Sequence, residues 1–363
     1  MQESNDLRAL RDIGLTHEAV QAALAATHPD DARLARIVEI QREHLLVHDG
    51  RAAHAAVPWP ALRLLLEAER DTLVVGDWVW WRRGAPGERG WVVAHAAPRN
   101  RLSRRDPAGG RQPLVANIDT ALLVMGLDHD FNLRRLDRFL VLAHSAALEC
   151  VVVLTKADGC ADPASAVARV RSHVRLDVDG ADAAPLPTLA LDGRDDGARV
   201  ALAPWLVRGR TLVMLGSSGA GKTTLANTLA RTAAVTGAVR ASDGRGQHTT
   251  TVRTLRQTPG GACLIDTPGL RQLWLDADPA QLQEAFPEIR ALASHCRYRN
   301  CRHAGEPGCA VSEQVAPERL RSYQKLLREA NREGLDVFQR QRMQALYKRR
   351  TREARARLYE KTR

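Results

Sequence analysis

The chain has 363 residues, 44% of them hydrophobic, with 53 Lys/Arg against 42 Asp/Glu and a formal net charge of +11. That length predicts two or three domains, and the apolar content excludes a chain too polar to build a core. No apolar run reaches the length of a membrane span, and Met1–Leu10 lacks the apolar centre of a signal peptide, so a cytoplasmic protein with no membrane partner is expected.

Residues 1 to about 35 read as a helical extension without chemical signal. From 36 to 113 the texture changes to short β-like runs, such as Arg36–Ile40 and Leu73–Trp81, punctuated by Gly and Pro. Such runs predict a small barrel or sandwich. Arg99–Arg111 reads as an exposed basic loop. From 114 to 275 the pattern is strand–helix–strand: a β-run over Asn117–Met125, helical spacing over Leu133–Ala147 and a buried strand over Cys150–Leu154. After a loop-like stretch, Asp182–Ala198, a second αβ stretch begins at Thr211. The alternation predicts a parallel sheet covered on both faces. Residues 276–363 read as helical and cysteine-bearing, ending in a basic helical tail.

The segment Gly216, Ser217, Ser218, Gly219, Ala220, Gly221, Lys222, Thr223 has the full P-loop spacing. It follows an apolar strand, and Thr224 opens a helix-compatible run to Ala230. The glycines let backbone N–H groups curl around phosphate oxygens at a helix N-terminus. Lys222 is expected on the β/γ phosphates and the Thr223 hydroxyl on Mg²⁺. Downstream, the strand Ala262–Ile265 delivers Asp266 toward the same Mg²⁺ in a D-x-x-G motif, and Gly269 can offer its N–H to the γ-phosphate. Between them, Gly244–Thr251 suits a loop in which Thr249 or Thr250 completes the metal shell.

Thr155-Lys156-Ala157-Asp158 follows the buried strand Cys150–Leu154. The Asp158 carboxylate can accept from guanine N1–H and the exocyclic amine, a donor pair that adenine lacks. That disfavours an ATP-dependent enzyme. The Lys156 stem can pack on the base. Thr155 stands where the usual motif has Asn and keeps a side-chain oxygen. In the usual GTPase the P-loop comes first; here Asp158 precedes Lys222, so the order is circularly permuted.

On these residues the chain resembles the RsgA/YjeQ family of ribosome small-subunit-dependent, circularly permuted GTPases. Thr72–Val79, Ala116–Asp119, Phe131–Leu140, Thr155–Asp158, the P-loop, Gly246–Thr250 and Asp266–Gly269 carry the match, together with a cysteine cluster. The resemblance implies a multi-domain α/β chain: an OB-fold barrel, a permuted GTPase domain and a zinc-binding helical domain. It also implies hydrolysis of GTP to GDP and phosphate in late maturation of the small (30S) ribosomal subunit, with binding to 16S rRNA and stimulation by the subunit, the protein acting as a monomer. The family's last guanine-contacting loop usually contains a Ser-Ala pair, whereas this chain reads Ala190-Leu191-Asp192-Gly193.

Leu270, directly after the D-x-x-G motif, cannot orient an attacking water as Gln does in many GTPases. His248 is the nearest candidate, beside Thr249, and the resemblance implies that role; the plain alternative is a solvated loop histidine. Cys296-x4-Cys301-x-His303-x5-Cys309 offers three thiolates and an imidazole, enough to close one structural Zn²⁺ site. His295 is a lesser alternative ligand. Cys150 and Cys263 sit in apolar strands and read as core. From Pro317 to Arg363 fifteen Lys/Arg face six Asp/Glu, which suits a phosphate backbone or a solvated helix equally. Trp78, Trp80 and Trp81 are more commonly core than base-stacking residues. A second function stays open: an RNA-binding module in which the nucleotide is structural and hydrolysis incidental.

Overall fold

The computed structural model describes residues 2–85, 87–105, 111–174, 186–230, 253–267 and 279–333. His248, Thr249, Thr250, Gly269, Leu270 and the tail beyond 333 lie outside them. The chain divides into two compact units, one of residues 1–103 and 113–273, the other of 104–112 and 274–363.

The first unit opens with helices α1 (Gln2–Asp12) and α2 (His17–Ala25). The Thr16 hydroxyl caps α2 by accepting from Ala19 N–H at 3.3 Å. These helices are not a loose extension: Leu10, Ile13, Leu15 and Ala23 are buried in one cluster with Trp78 and Cys263. Strands β1 (Arg33–Ile40), β2 (Leu45–His48) and β3 (Ala53–Pro58) follow, then helix α3 (Pro60–Glu69) and strands β4 (Trp78–Arg82) and β5 (Gly90–His95). They pair in the order β1-β2-β3-β5-β4, and β4 returns to β1 through Arg33↔Trp81 to Arg36↔Trp78, closing a five-stranded barrel of OB type. Closure removes the sheet edges. Trp81 faces the barrel core beside Val79, whereas Trp78 faces the opposite side of the strand, against the N-terminal helices; both are buried, at 2% and 1% exposure. Trp80 is covered instead by His28, stacked at 3.6 Å. Among the barrel aromatics the exposed pair is Trp59 and Trp91, edge to face at 5.1 Å. The expected run from Leu73 is a strand only from Trp78.

Strands β6 (Arg101–Arg105) and β7 (Arg111–Ala116) pair as a separate ribbon where a basic loop was expected. The parallel sheet then begins with β8 (Thr120–Gly126), every residue of it buried, as a central parallel strand requires. Helix α4 (Leu133–Ser145) is capped by Asn132, whose side chain accepts from Arg135 N–H at 3.2 Å. Strand β9 (Glu149–Thr155), helix α5 (Pro163–His173) and a short strand β10 (Thr188–Ala190) come next; β10 lies in the stretch that reads as loop in the sequence, and helix α6 (Gly197–Leu202) starts at its end. Three residues are too few to show a period. Strand β11 (Thr211–Leu215) leads into helix α7 (Lys222–Ala230), and β12 (Thr254–Gln257) into β13 (Cys263–Asp266). The order is β10-β9-β8-β11-β13-β12, parallel except for β12. The P-loop strand β11 thus lies between β8, which precedes it by a long excursion, and β13, which follows. This is a switch point, where the strands' C-terminal ends open a crevice. Cys150 and Cys263 are core residues.

From residue 279 on, the described part of the second unit holds helices α8 (Pro279–Glu284), α9 (Pro287–Ala293), α10 (Ala310–Gln314) and α11 (Pro317–Glu333). Leu320, Tyr323, Leu326 and Ala330 form the buried stripe of α11, with Tyr323 edge to face against buried Phe286 at 5.2 Å. No helix among the described residues is long and apolar enough to cross a membrane.

Candidate functional site

The P-loop residues Gly216–Gly221 form the turn between β11 and α7. Lys222 is 7% exposed and folds back over the loop, donating to Gly216 O at 2.8 Å and Ser217 O at 2.6 Å. Burial pulls its ammonium below the ordinary value, opposed by Asp266 and Asp130. Its charge therefore stands beside the loop's N–H groups, where an anion would lie. Thr155, the residue in place of Asn, is buried and donates its hydroxyl to Ala220 O at 2.6 Å. The substitution thus keeps a tie between the end of β9 and the P-loop. At Gly221 (φ +87°) an added Cβ would stand 3.1 Å from Thr155 Oγ1, so the two segments run flush.

Asp266 ends β13 at 8% exposure. Burial pushes its carboxyl above the ordinary range, and the Lys222 ammonium counters that. Thr223 hydrogen-bonds the carboxylate, while Oδ1 is buried with no hydrogen-bond partner among the described residues. An orphaned buried oxygen beside a P-loop hydroxyl fits a divalent cation.

On the other side of the P-loop, Thr155, Lys156, Asp158, Asp192, Gly193, Arg194, Gly221 and Thr224 line a cleft of about 330 Å³. Lys156 adopts φ +60°, and its ammonium meets Asp128 Oδ2 at 2.7 Å. Asp158 sits in the 3₁₀ turn Ala157–Gly159 and accepts from Arg194 Nη2 at 2.5 Å. The two sides of the P-loop therefore bring a phosphate-and-cation site and a carboxylate-bearing cleft to one crevice.

Two groups at this crevice escape motif reading. Asp130, 6% exposed, accepts from the Ser217 hydroxyl, the Arg135 guanidinium and Gly126 N–H. It fixes the P-loop from the β8 side. Arg194 has no counterpart in any nucleotide motif. The available signal for Asp130 was its place just beyond the buried run Thr120–Gly126, at the strand end where ligand sites gather.

In the second unit, the ligand atoms of Cys296, Cys301, His303 and Cys309 all lie within 4.8 Å of one another. Cys296 Sγ is 3.9 Å from Cys309 Sγ and 3.6 Å from His303 Nδ1, and Cys309 Sγ is 3.5 Å from the same nitrogen. A tetrahedral shell with Zn–S near 2.3 Å separates its ligands by roughly 3.5–3.8 Å, so the cluster can hold a metal ion. Gln324 steadies it by donating to His303 O. His295 is not part of the cluster: its Nδ1 faces Ala291 O and Ser294 Oγ, each at 3.3 Å.

Comparison with known proteins agrees with this geometry. The RsgA GTPase family model matches residues 96–276. The small ribosomal subunit biogenesis GTPase RsgA of Xylella fastidiosa (strain 9a5c) is 43% identical over 319 residues, spanning 85% of this chain and 89% of that one. Among solved structures, YjeQ from Thermotoga maritima superposes with a TM-score of 0.60 at 24% identity, over 84% of this chain and all of that one. YloQ, described as a circularly permuted GTPase, gives 0.57 at 22%, over 85% of this chain and 99% of its own. The two structures support the fold, and the sequence relative supports the family. The chain belongs to the RsgA family of circularly permuted GTPases and is a GTP-hydrolysing enzyme.

Proposed function

We propose that this GTPase serves late maturation of the small (30S) ribosomal subunit, binding its 16S rRNA and turning over GTP to GDP and phosphate faster on the subunit than alone. The name of the Xylella relative supports the assignment to ribosome biogenesis. The observation that carries the catalytic reading is the convergence of β9, β11 and β13 ends on one crevice, with Asp158 on one flank and Asp266 on the other. In this reading the Gly216–Thr224 segment cradles the phosphates and Lys222 pairs with the β/γ oxygens. Thr223 and Asp266 hold Mg²⁺, which neutralises charge on those oxygens when bound. Thr155 and Lys156 hold the base cleft and Asp158 reads guanine. His248 orients the attacking water, Thr249 or Thr250 closes over the γ-phosphate, and Gly269 donates to it. Cys296, Cys301, His303 and Cys309 hold one structural Zn²⁺ that folds the second unit. The protein works as a cytoplasmic monomer.

Asp266 stands about thirty residues before Cys296 in the chain, so a γ-phosphate that draws in Gly269 can bias the metal-bearing unit. The GTP form then binds the subunit more tightly than the GDP form, and by reciprocity the subunit tightens GTP binding. The test is GTP turnover by the full chain with and without isolated small subunits. Acceleration is expected. Equal rates would reduce the protein to an RNA binder whose nucleotide is structural.

A further inference from the structure

The base cleft carries a cation that the guanine motifs do not account for. Arg194, in the turn between β10 and α6, donates from Nη2 to Asp158 Oδ2 at 2.5 Å and from Nε to Asp192 Oδ1 at 3.3 Å. Asp192 is itself fixed, accepting Arg194 N–H at 2.9 Å, and that bond helps hold its carboxyl below the ordinary range. The backbone keeps this turn against the Asp158 segment: Ala157 N–H donates to Leu191 O at 3.3 Å and Leu191 N–H to Leu154 O at 2.9 Å. The Arg194 side chain is 67% exposed, so two carboxylates, and no packing, hold it in place.

We propose that Arg194 is a base-specificity residue that donates to guanine O6 while Asp158 accepts from N1–H and the exocyclic amine. The inference rests on the guanine reading of the cleft and extends it to the third group on the base edge. A carboxylate has about four lone-pair sites, so Asp158 Oδ2 can keep Arg194 and still accept from the base. The guanidinium has five N–H donors, of which these contacts occupy two. Side by side, Asp158 and Arg194 present acceptor, acceptor, donor. Guanine presents donor, donor, acceptor along the same edge, and Arg is a favoured partner of its O6. Adenine places an amine where O6 would be and an unprotonated N1 against the carboxylate, so both contacts fail. A Ser-Ala pair would bring no cation to this edge. Here the turn Asp192-Gly193-Arg194 supplies a side-chain donor, and Asp192 aims it.

The experiment measures binding of GDP, ADP and 2-aminopurine riboside diphosphate, which keeps the exocyclic amine but lacks O6 and, like adenine, the N1–H, to the full chain by calorimetry. Wild type, Arg194→Ala and Arg194→Lys are compared. Arg194→Ala should weaken GDP roughly 10- to 100-fold, the worth of one charge-assisted hydrogen bond, and leave the 2-aminopurine nucleotide within about twofold. Arg194→Lys, which keeps the charge with fewer donors, should recover part of the loss. In turnover, KM for GTP rises and kcat holds. Wild-type or tighter GDP binding by Arg194→Ala, or equal loss for GDP and the analogue, overturns the proposal. A wild type with no preference for GDP over ADP overturns the guanine reading of the cleft itself, a distinct result.

Discussion

Arg36 offers the sharpest test of how the first unit is held together. It is fully buried on β1 and donates to four acceptors: Ile13 O at 2.6 Å, Thr211 Oγ1 and Asn117 O at 2.9 Å each, and Gly76 O at 3.2 Å. Those acceptors belong to the N-terminal helices, the P-loop strand, the turn before β8 and the barrel. Arg36→Met keeps the length and apolar stem of the side chain and deletes every donor. Two buried carbonyls, Ile13 O and Asn117 O, lose the donor Arg36 gives them, each at about 1–3 kcal/mol, while Gly76 O keeps the Asn117 side-chain amide at 3.0 Å. Against this stands relief of the desolvation that pulls the guanidinium below its ordinary pKa, worth several kcal/mol. The net is a loss of about 1–2 kcal/mol, read as a lower urea midpoint and as faster amide exchange in the segments around Ile13, Asn117 and Thr211. GDP affinity should stay within about twofold, because Thr211 begins β11 and the P-loop follows its other end, roughly 16 Å away. An unchanged midpoint, or a fall in affinity without loss of stability, would refute the reasoning.

Other outcomes follow from single features. Gly76 has φ +97°, and a Cβ there would stand 2.1 Å from Ala116 O, so Gly76→Ala should lower stability by at least about 2 kcal/mol in the same urea assay. Lys222→Ala should abolish GTP hydrolysis in a phosphate-release assay, since its buried ammonium sits inside the P-loop on Gly216 O and Ser217 O. His248→Ala should slow single-turnover hydrolysis by about 10²-fold while GDP affinity holds; weak binding with normal turnover of bound GTP would make the histidine structural. Cys301→Ser, or chelation of the metal, should expose the chain beyond Pro279 to trypsin and leave GDP affinity intact, because the ligands all lie in the second unit.

The sequence by itself determined the motifs that depend on spacing along one short segment. The P-loop at Gly216–Thr223, the carboxylate at Asp158 and the Cys296–Cys309 ligand set are local, since a turn, a strand end or a metal knuckle is built from neighbouring residues. The permuted order was legible for the same reason, because it is a statement about the sequence of motifs. Several family-matching stretches identify the chain without revealing what they do. Asp77 accepts from Val74 N–H at 2.8 Å, and Asp119 accepts from Thr211 N–H at 2.7 Å, so both act as joints. Only the tertiary structure decided these roles. Arg36 reads as one more arginine in an arginine-rich chain until folding brings Ile13, Gly76, Asn117 and Thr211 around it. Arg194 reads as part of a charged loop until β10 docks beside β9 and sets it on Asp158. Contacts across 23 to 175 residues of chain leave no period and no spacing to read; they exist because folding brings segments far apart in sequence side by side.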